Sequence, residues 1–226
     1  MNASRTARRW HLWLGWAAAI PLLLWTISGL WMVARPIEEV RGEHLRARPP
    51  ALVVPPVLTP PVGLGLKTLS IEPRPGDAVW VATFADGRAR AADLRTGRWL
   101  PPLSREAGRV AARAAYLAPA PVTAVTPTAA DSPPIDLRRP RPTWRVEFSD
   151  GARVYVDRDT GSVLAIRTRQ WRWFDFMWGL HILDPGGRED TSHPALIAAA
   201  AVSLAAVLFG VVLLPLATRW RRKRGR

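Results

Sequence analysis

The chain has 226 residues, a formal net charge of +14 and no cysteine. Without thiols it has no disulfides, Fe–S clusters or thiolate zinc sites, so any folded part must hold together by packing. The charge does not read as a nucleic-acid footprint: nine basic residues sit in two short tails, and the 23 basic and 18 acidic residues between the tails leave only +5.

Residues 1–9 form a basic tail with Arg5, Arg8 and Arg9. Trp10 to Ala34 then runs without a charge. About 25 residues make a helix of roughly 37 Å, enough to cross a hydrocarbon core with some tilt. The apolar run is too long for an ordinary signal peptide, and Val33-Ala34-Arg35-Pro36 is a poor cleavage site, so residues 10–34 read as an uncleaved signal anchor.

Residues 35–77 read as a linker, because Arg46–Pro61 is rich in proline. Residues 78–170 read as the folded domain, and they hold an internal repeat. Phe84, Asp86, Gly87, Asp93, Thr96, Gly97 and Leu100 recur 64 residues later as Phe148, Asp150, Gly151, Asp157, Thr160, Gly161 and Leu164. The unit spans 84–100 and 148–164. Asp-Gly pairs demand hairpin turns with φ > 0, and the Thr-Gly pairs turn the chain again. The spacing predicts strands over Ala78–Phe84 and Thr143–Phe148, with second strands ending at Asp93 and Asp157. The repeated Asp residues read as turn chemistry rather than metal ligands.

Ser104–Tyr116 reads as a helix with Ser104 as N-cap and Glu106 in its first turn. Its expected apolar stripe is Val110, Ala114 and Leu117. Ala118–Pro142, rich in Pro, Ala and Thr, is expected to be irregular. The fold expected for this region is small antiparallel sheets plus a helix.

Residues 171–193 form an aromatic segment in which Trp171, Phe174, Trp178 and His181 share one helix face, suited to an interface. Pro194–Thr218, residues 194–218, is the second uncharged stretch. Pro21 and Pro215 are tolerable within spans. The tail 219–226 holds six basic residues and no acid. Basic flanks stay cytoplasmic, so both termini are expected inside and the acid-bearing middle outside. The last tail is expected to lie against anionic lipid. Trp10, Trp13 and Trp220 would mark the inner boundary; Trp31, Trp171, Trp173 and Trp178 would mark the outer one. The spans are expected to pair through small residues: Gly15, Ala18, Ala19, Ser28 and Gly29 on one, Ser203, Ala206 and Gly210 on the other.

The second repeat, with Trp144-Arg-Val-Glu-Phe148, Asp150-Gly151, Val154-Tyr-Val-Asp157 and Thr160-Gly161, resembles the PepSY domain. Arg9-Trp10-His11-x-Trp13-Leu14-Gly15 and Trp25-x-x-Ser28-Gly29 look like the first span of PepSY-associated transmembrane proteins. Trp178-Gly-Leu-His181-Ile-x-Asp184, Arg188-Glu-Asp190 and His193-Pro194 look like their signature before the next span. The resemblance implies a bacterial inner-membrane protein with an extracytoplasmic domain; joined to the two spans and their basic flanks, the expected class is membrane α+β, with two transmembrane helices, both termini cytoplasmic, flanking an extracytoplasmic PepSY-like domain. Some members of the family look like haem-bearing reductases in ferric-siderophore uptake, but they have more spans than this chain. Soluble PepSY domains are associated with restraining proteases.

Two functions follow. The first is a non-enzymatic two-span protein whose outer domain binds or modulates a membrane or periplasmic protein partner. The alternative is an electron-transfer component of iron or siderophore acquisition that carries haem b on His181, His193 and His11. A neutral imidazole in aromatic surroundings is a normal axial ligand. About 22 residues of helix, roughly 33 Å, separate His11 from the other two. One haem in a monomer therefore cannot use His11 with His181; it could use His181 with His193, or matching residues across a homodimer, with His11 marking a second, inner site. No HExxH and no Gly-rich phosphate loop occurs. The lipid bilayer is the expected surrounding.

Overall fold

The structure, a computed structural model, describes the backbone of residues 3–48, 51, 52, 54–56, 58–63, 65–74 and 76–224. Side chains are described for these residues except 3–5, 7 and 215–224. In chain order the elements are α1 (Ala3–Val33), α2 (Ile37–Arg41), a 3-10 turn (Glu43–Leu45), β1 (Leu66–Arg74), β2 (Asp77–Phe84), β3 (Ala89–Asp93), α3 (Arg105–Ala115), β4 (Val122–Thr128), β5 (Thr143–Phe148), β6 (Arg153–Asp157), β7 (Val163–Arg167), α4 (Arg169–His181) and α5 (Pro194–Arg224). The chain divides into two compact units. One spans Pro36–Arg172; the other joins Met1–Arg35 to Trp173–Arg226.

The first unit holds two antiparallel sheets, ordered β1-β2-β3 and β4-β5-β6-β7. The 64-residue repeat is visible bond by bond. In each copy the Phe N–H reaches across the Asp-Gly turn: Phe84 to the Arg88 carbonyl and Phe148 to the Ala152 carbonyl. Gly87 and Gly151 take φ of 83° and 81°, a conformation that costs glycine nothing and a β-carbon a good deal. The second Asp of each copy caps its turn: Asp93 accepts from the N–H groups of Arg95 and Thr96, Asp157 from those of Asp159 and Thr160.

The repeat extends one strand further than its sequence shows. Leu66 pairs with Phe84 and Val122 with Phe148, and a bulge follows at Leu66/Thr68 and at Val122/Ala124. Residues 66–74, expected to end a linker, therefore form β1, and residues 122–128, expected to be irregular, form β4. Both strands contain proline, Pro73 and Pro127, and both lie at sheet edges. An edge strand can spare the missing N–H.

The main core lies between the second sheet and α3. Val146, Phe148, Val154, Val156 and Ile166 meet Ala111, Ala112 and Tyr116. Ser104 caps α3 as expected, accepting from the Ala107 N–H at 3.2 Å. The expected apolar stripe is not the buried one. Val110 and Leu117 are exposed, while Gly108, Ala111 and Ala112 face the sheet. Small size decides the face: a β-carbon on Gly108 would stand 2.6 Å from Trp144 Cδ1. On the opposite face, Tyr155 is fully buried, and its hydroxyl donates to Asp136 Oδ1 at 2.6 Å.

The second unit is a helix pair with α4 and the loop behind it. α1 and α5 contain runs long and apolar enough to cross a membrane, Arg8–Val33 and Pro194–Leu214. The less exposed residues of α1 include His11, Leu14, Ala18, Pro21, Trp25, Ser28 and Met32. Those of α5 include Leu196, Ala199, Ser203, Ala206, Gly210 and Leu213. Steps of three and four mark the seam of a left-handed antiparallel pair. Ala18, Ser28, Ser203 and Ala206 are buried in it, while the other faces of both helices leave large apolar side chains exposed.

Candidate functional site: two histidines seated on the helix pair

His11 projects from α1 onto α5. Its Nδ1 lies 3.1 Å from the Ala206 carbonyl oxygen. A carbonyl only accepts, so Nδ1 carries the proton and Nε2 a lone pair. Room for the ring comes from Gly210, where a β-carbon would stand 3.1 Å from His11 Cε1.

His181, the last residue of α4, repeats the arrangement at the other end of α1. Its Nδ1 lies 3.0 Å from Ser28 Oγ. The Ser28 hydroxyl donates to the Leu24 carbonyl, one turn back, so it is free to accept from His181. Here again Nε2 is left with the lone pair. Gly29 makes the room: its β-carbon would stand 3.5 Å from His181 Cε1. The Trp178 indole stacks near the imidazole, with centroids 6.4 Å apart and planes at 21°.

His193 is used differently. Its Nε2 donates to the Ile182 carbonyl at 2.9 Å, and its Nδ1 accepts from the Leu196 N–H at 3.3 Å. It caps the first turn of α5 with both ring nitrogens engaged. Of the three histidines named as candidate ligands, only His11 and His181 keep a nitrogen without a hydrogen bond among the described residues. Ser28, at the level of His181, is 17 residues from His11, about 26 Å along the helix.

The segment from Trp178 to His193 is tightly built. Asp184 accepts from the N–H groups of Gly187, Glu189 and Asp190. These donors hold its carboxyl below the usual carboxylate range. Arg188 Nη1 donates to the buried Asp175 at 2.8 Å, and its carbonyl accepts from Trp178 Nε1 at 3.2 Å. Gly179 is required beneath it, because a β-carbon there would stand 2.7 Å from Arg188 Cγ. His181, Asp184 and Arg188 stand out in the sequence as a motif; Asp175 does not, because its partner Arg188 lies 13 residues away.

Among the described residues, Met32 and Met177 are the other soft donors in this unit, and both are partly buried. Among the described residues no three His, Cys, Asp or Glu side chains gather as a metal-binding group. A bound metal would therefore have to bring most of its own ligands.

Comparison with curated proteins and with solved structures gives no match. One family model does match, that of the PepSY-associated TM region, over residues 8–226. The match covers both apolar helices, both sheets and the histidine segment. The family and the two apolar helices together point to a membrane protein. The chain belongs to the PepSY-associated TM region family.

Proposed function

We propose that the chain is a two-span protein of the bacterial inner membrane, with both termini cytoplasmic and the sheet unit outside, whose helix pair holds haem b through His11 and His181. The observation behind this reading is the shared geometry of the two imidazoles. Each is fixed by an Nδ1–H donor bond and offers an Nε2 lone pair, the tautomer an axial ligand needs. Haem would supply its own ring nitrogens and one-electron chemistry, and His11 and His181 would supply the imidazoles that hold it. Arg8 and Arg9 beside His11 favour the cytoplasmic side. His11 is then an inner site and His181 an outer one, and a second copy of the chain can supply a second imidazole at each level.

An oxidised and then reduced visible spectrum of the purified, detergent-solubilised full chain tests this. The expected result is a Soret band that weakens in His11→Ala and in His181→Ala but survives His193→Ala. No band after haem supplementation defeats the reading. The orientation has its own test, because the chain lacks cysteine. Ser132→Cys should react with an impermeant maleimide added outside spheroplasts, and Thr6→Cys only after permeabilisation. The reverse pattern overturns it.

A second reading, in which the sheet unit binds or modulates a partner protein, is favoured by a groove between α3 and the edge strand β4. It encloses about 380 Å³ and is lined by Arg105, Glu106, Arg109 and Val122–Val125. A photo-crosslinker at Thr123 should give a defined adduct in cells that Arg105→Glu abolishes. An adduct pattern indifferent to Arg105 rejects this groove as the contact.

A further inference from the structure

The Asp150–Gly151 turn of the sheet unit is covered by two guanidinium groups from the first turn of α4. A side chain at residue 151 would begin 3.2 Å from Arg169 Nη2, 3.3 Å from Arg169 Nε and 3.6 Å from Arg172 Nη2. Both guanidiniums thus converge on the Gly151 turn, packed too closely to admit a β-carbon comfortably, with their outer edges turned away from it. Arg172 is held in place on its other edge, where Nη1 donates to the Arg167 carbonyl at 3.2 Å.

The neighbouring carboxylates are already engaged. Asp150 accepts from the Tyr116 hydroxyl at 2.6 Å and from the Ala152 N–H at 2.9 Å. Asp136 is taken by Tyr155 and Arg153, and Glu147 by Arg145 and Arg153. Neither Arg169 nor Arg172 has a carboxylate within 4.0 Å among the described residues. Burial first, then the positive charge of Arg153, push the Arg172 guanidinium below its ordinary value; the negative charge of Asp136 offsets part of this, and Arg169 adds a smaller push downward.

Like charges held together and partly desolvated repel unless something negative sits between them. We infer that Arg169 and Arg172, above the Gly151 turn, form a seat for a phosphate oxyanion. Guanidinium forks match phosphate oxygens two at a time. The first turn of α4 adds its positive dipole end; its Trp171 and Arg172 N–H groups are already bonded to Thr168. The phosphate can come from an anionic phospholipid headgroup or from a free phosphate compound. Arg172 is followed in the same helix by Trp173, which is 54% exposed and of the type that settles at a lipid interface. The inference is independent of haem and draws on the membrane reading only for its lipid source.

The test uses the full chain in detergent, with phosphatidylglycerol, phosphatidylcholine and inorganic phosphate as probes. Native mass spectrometry should show wild type retaining phosphatidylglycerol over phosphatidylcholine, with a loss of about tenfold in Arg169→Gln/Arg172→Gln and no loss in Arg95→Gln. That result, with no thermal protection by inorganic phosphate, assigns the lipid source. Protection of wild type but not of the double variant by inorganic phosphate, without lipid preference, assigns a free phosphate compound. If neither probe distinguishes wild type from the double variant, or if Arg95→Gln loses as much, the inference is overturned. Should the double variant fail to fold, Arg169→Gln alone decides, because its side chain is exposed.

Discussion

Ser28 and His181 form a relay within the helix unit: the serine hydroxyl donates back to Leu24 and accepts from the imidazole Nδ1 at 3.0 Å. Ser28 is 1% exposed, so the bond is shielded from water. Ser28→Ala leaves the Nδ1 proton without its acceptor and frees the ring to turn. Losing a hydrogen bond that orients a ligating imidazole costs about 10–100-fold in affinity for the metal group it holds, which on the proposed function is haem. Haem titration of Ser28→Ala should show that weakening, with a shifted reduction potential. Ser28→Thr keeps the hydroxyl and should restore both. Equal affinities for wild type and Ser28→Ala would reject the relay.

The glycines of the spans are not equivalent. At Gly210 a β-carbon presses on His11, whereas at Gly15 it meets nothing within 4 Å. Gly210→Leu should therefore displace the His11 ring and lower the thermal stability of the full chain. Gly15→Leu should be near neutral. The pair of melting curves checks this, and equal losses would mean that the helices need small residues generally rather than a seat for the imidazole.

Gly108 lets α3 lie against Trp144. The 2.6 Å approach concerns the indole Cδ1, and that indole is tied by its Nε1–H to the Leu103 carbonyl at 2.8 Å. Gly108→Val must push the helix off the sheet. Overpacking of this kind costs about 1–3 kcal/mol, and the better helix propensity of valine recovers only a few tenths. Denaturant unfolding should show the loss, and Val110→Ala, on the exposed face, should show almost none.

The chain has two tyrosines, and both donate to carboxylates: Tyr116 to Asp150 and Tyr155 to Asp136, each at 2.6 Å. Burial, then these acceptors, push both phenols well above their ordinary value of 10.0. A raised folded-state value means that the stabilisation is complete below the unfolded pKa of about 10 and is lost as pH rises above it. Tyrosinate absorbance near 295 nm should stay absent in folded protein through pH 10 and appear together with unfolding. Ionisation of one phenol near pH 10 with the fold intact would contradict the buried hydrogen bonds.

Much of the sheet unit could be read from its turns, because Asp-Gly and Thr-Gly impose backbone signs that few other pairs accept. Thr143–Phe148 and the strand ends at Asp93 and Asp157 follow directly from those turns. β1 and β4 were hidden by Pro73 and Pro127, whose cost depends on whether the strand has a neighbour on that side. The packed face of α3 was hidden because Gly108, Ala111 and Ala112 carry little hydrophobic weight, and closeness is what they contribute. For the histidines, the residues could be named in advance but their partners could not. Ala206 offers a backbone carbonyl that any residue could supply, and Gly210 acts by lacking a side chain. The engagement of both His193 nitrogens depends on the path of the loop from Ile182.

The two copies of the repeat are joined through the Thr-Gly turn of the second. The Ala91 N–H donates to the Asp159 carbonyl, Ser162 donates to Glu72 at 2.6 Å, and Gly161 lies beneath the Arg74 side chain. One copy could not simply be cut out. Excising the second copy would take from the Ala91 N–H its acceptor and from Glu72 its serine partner. The two copies therefore stand or fall together, each completing hydrogen bonds of the other.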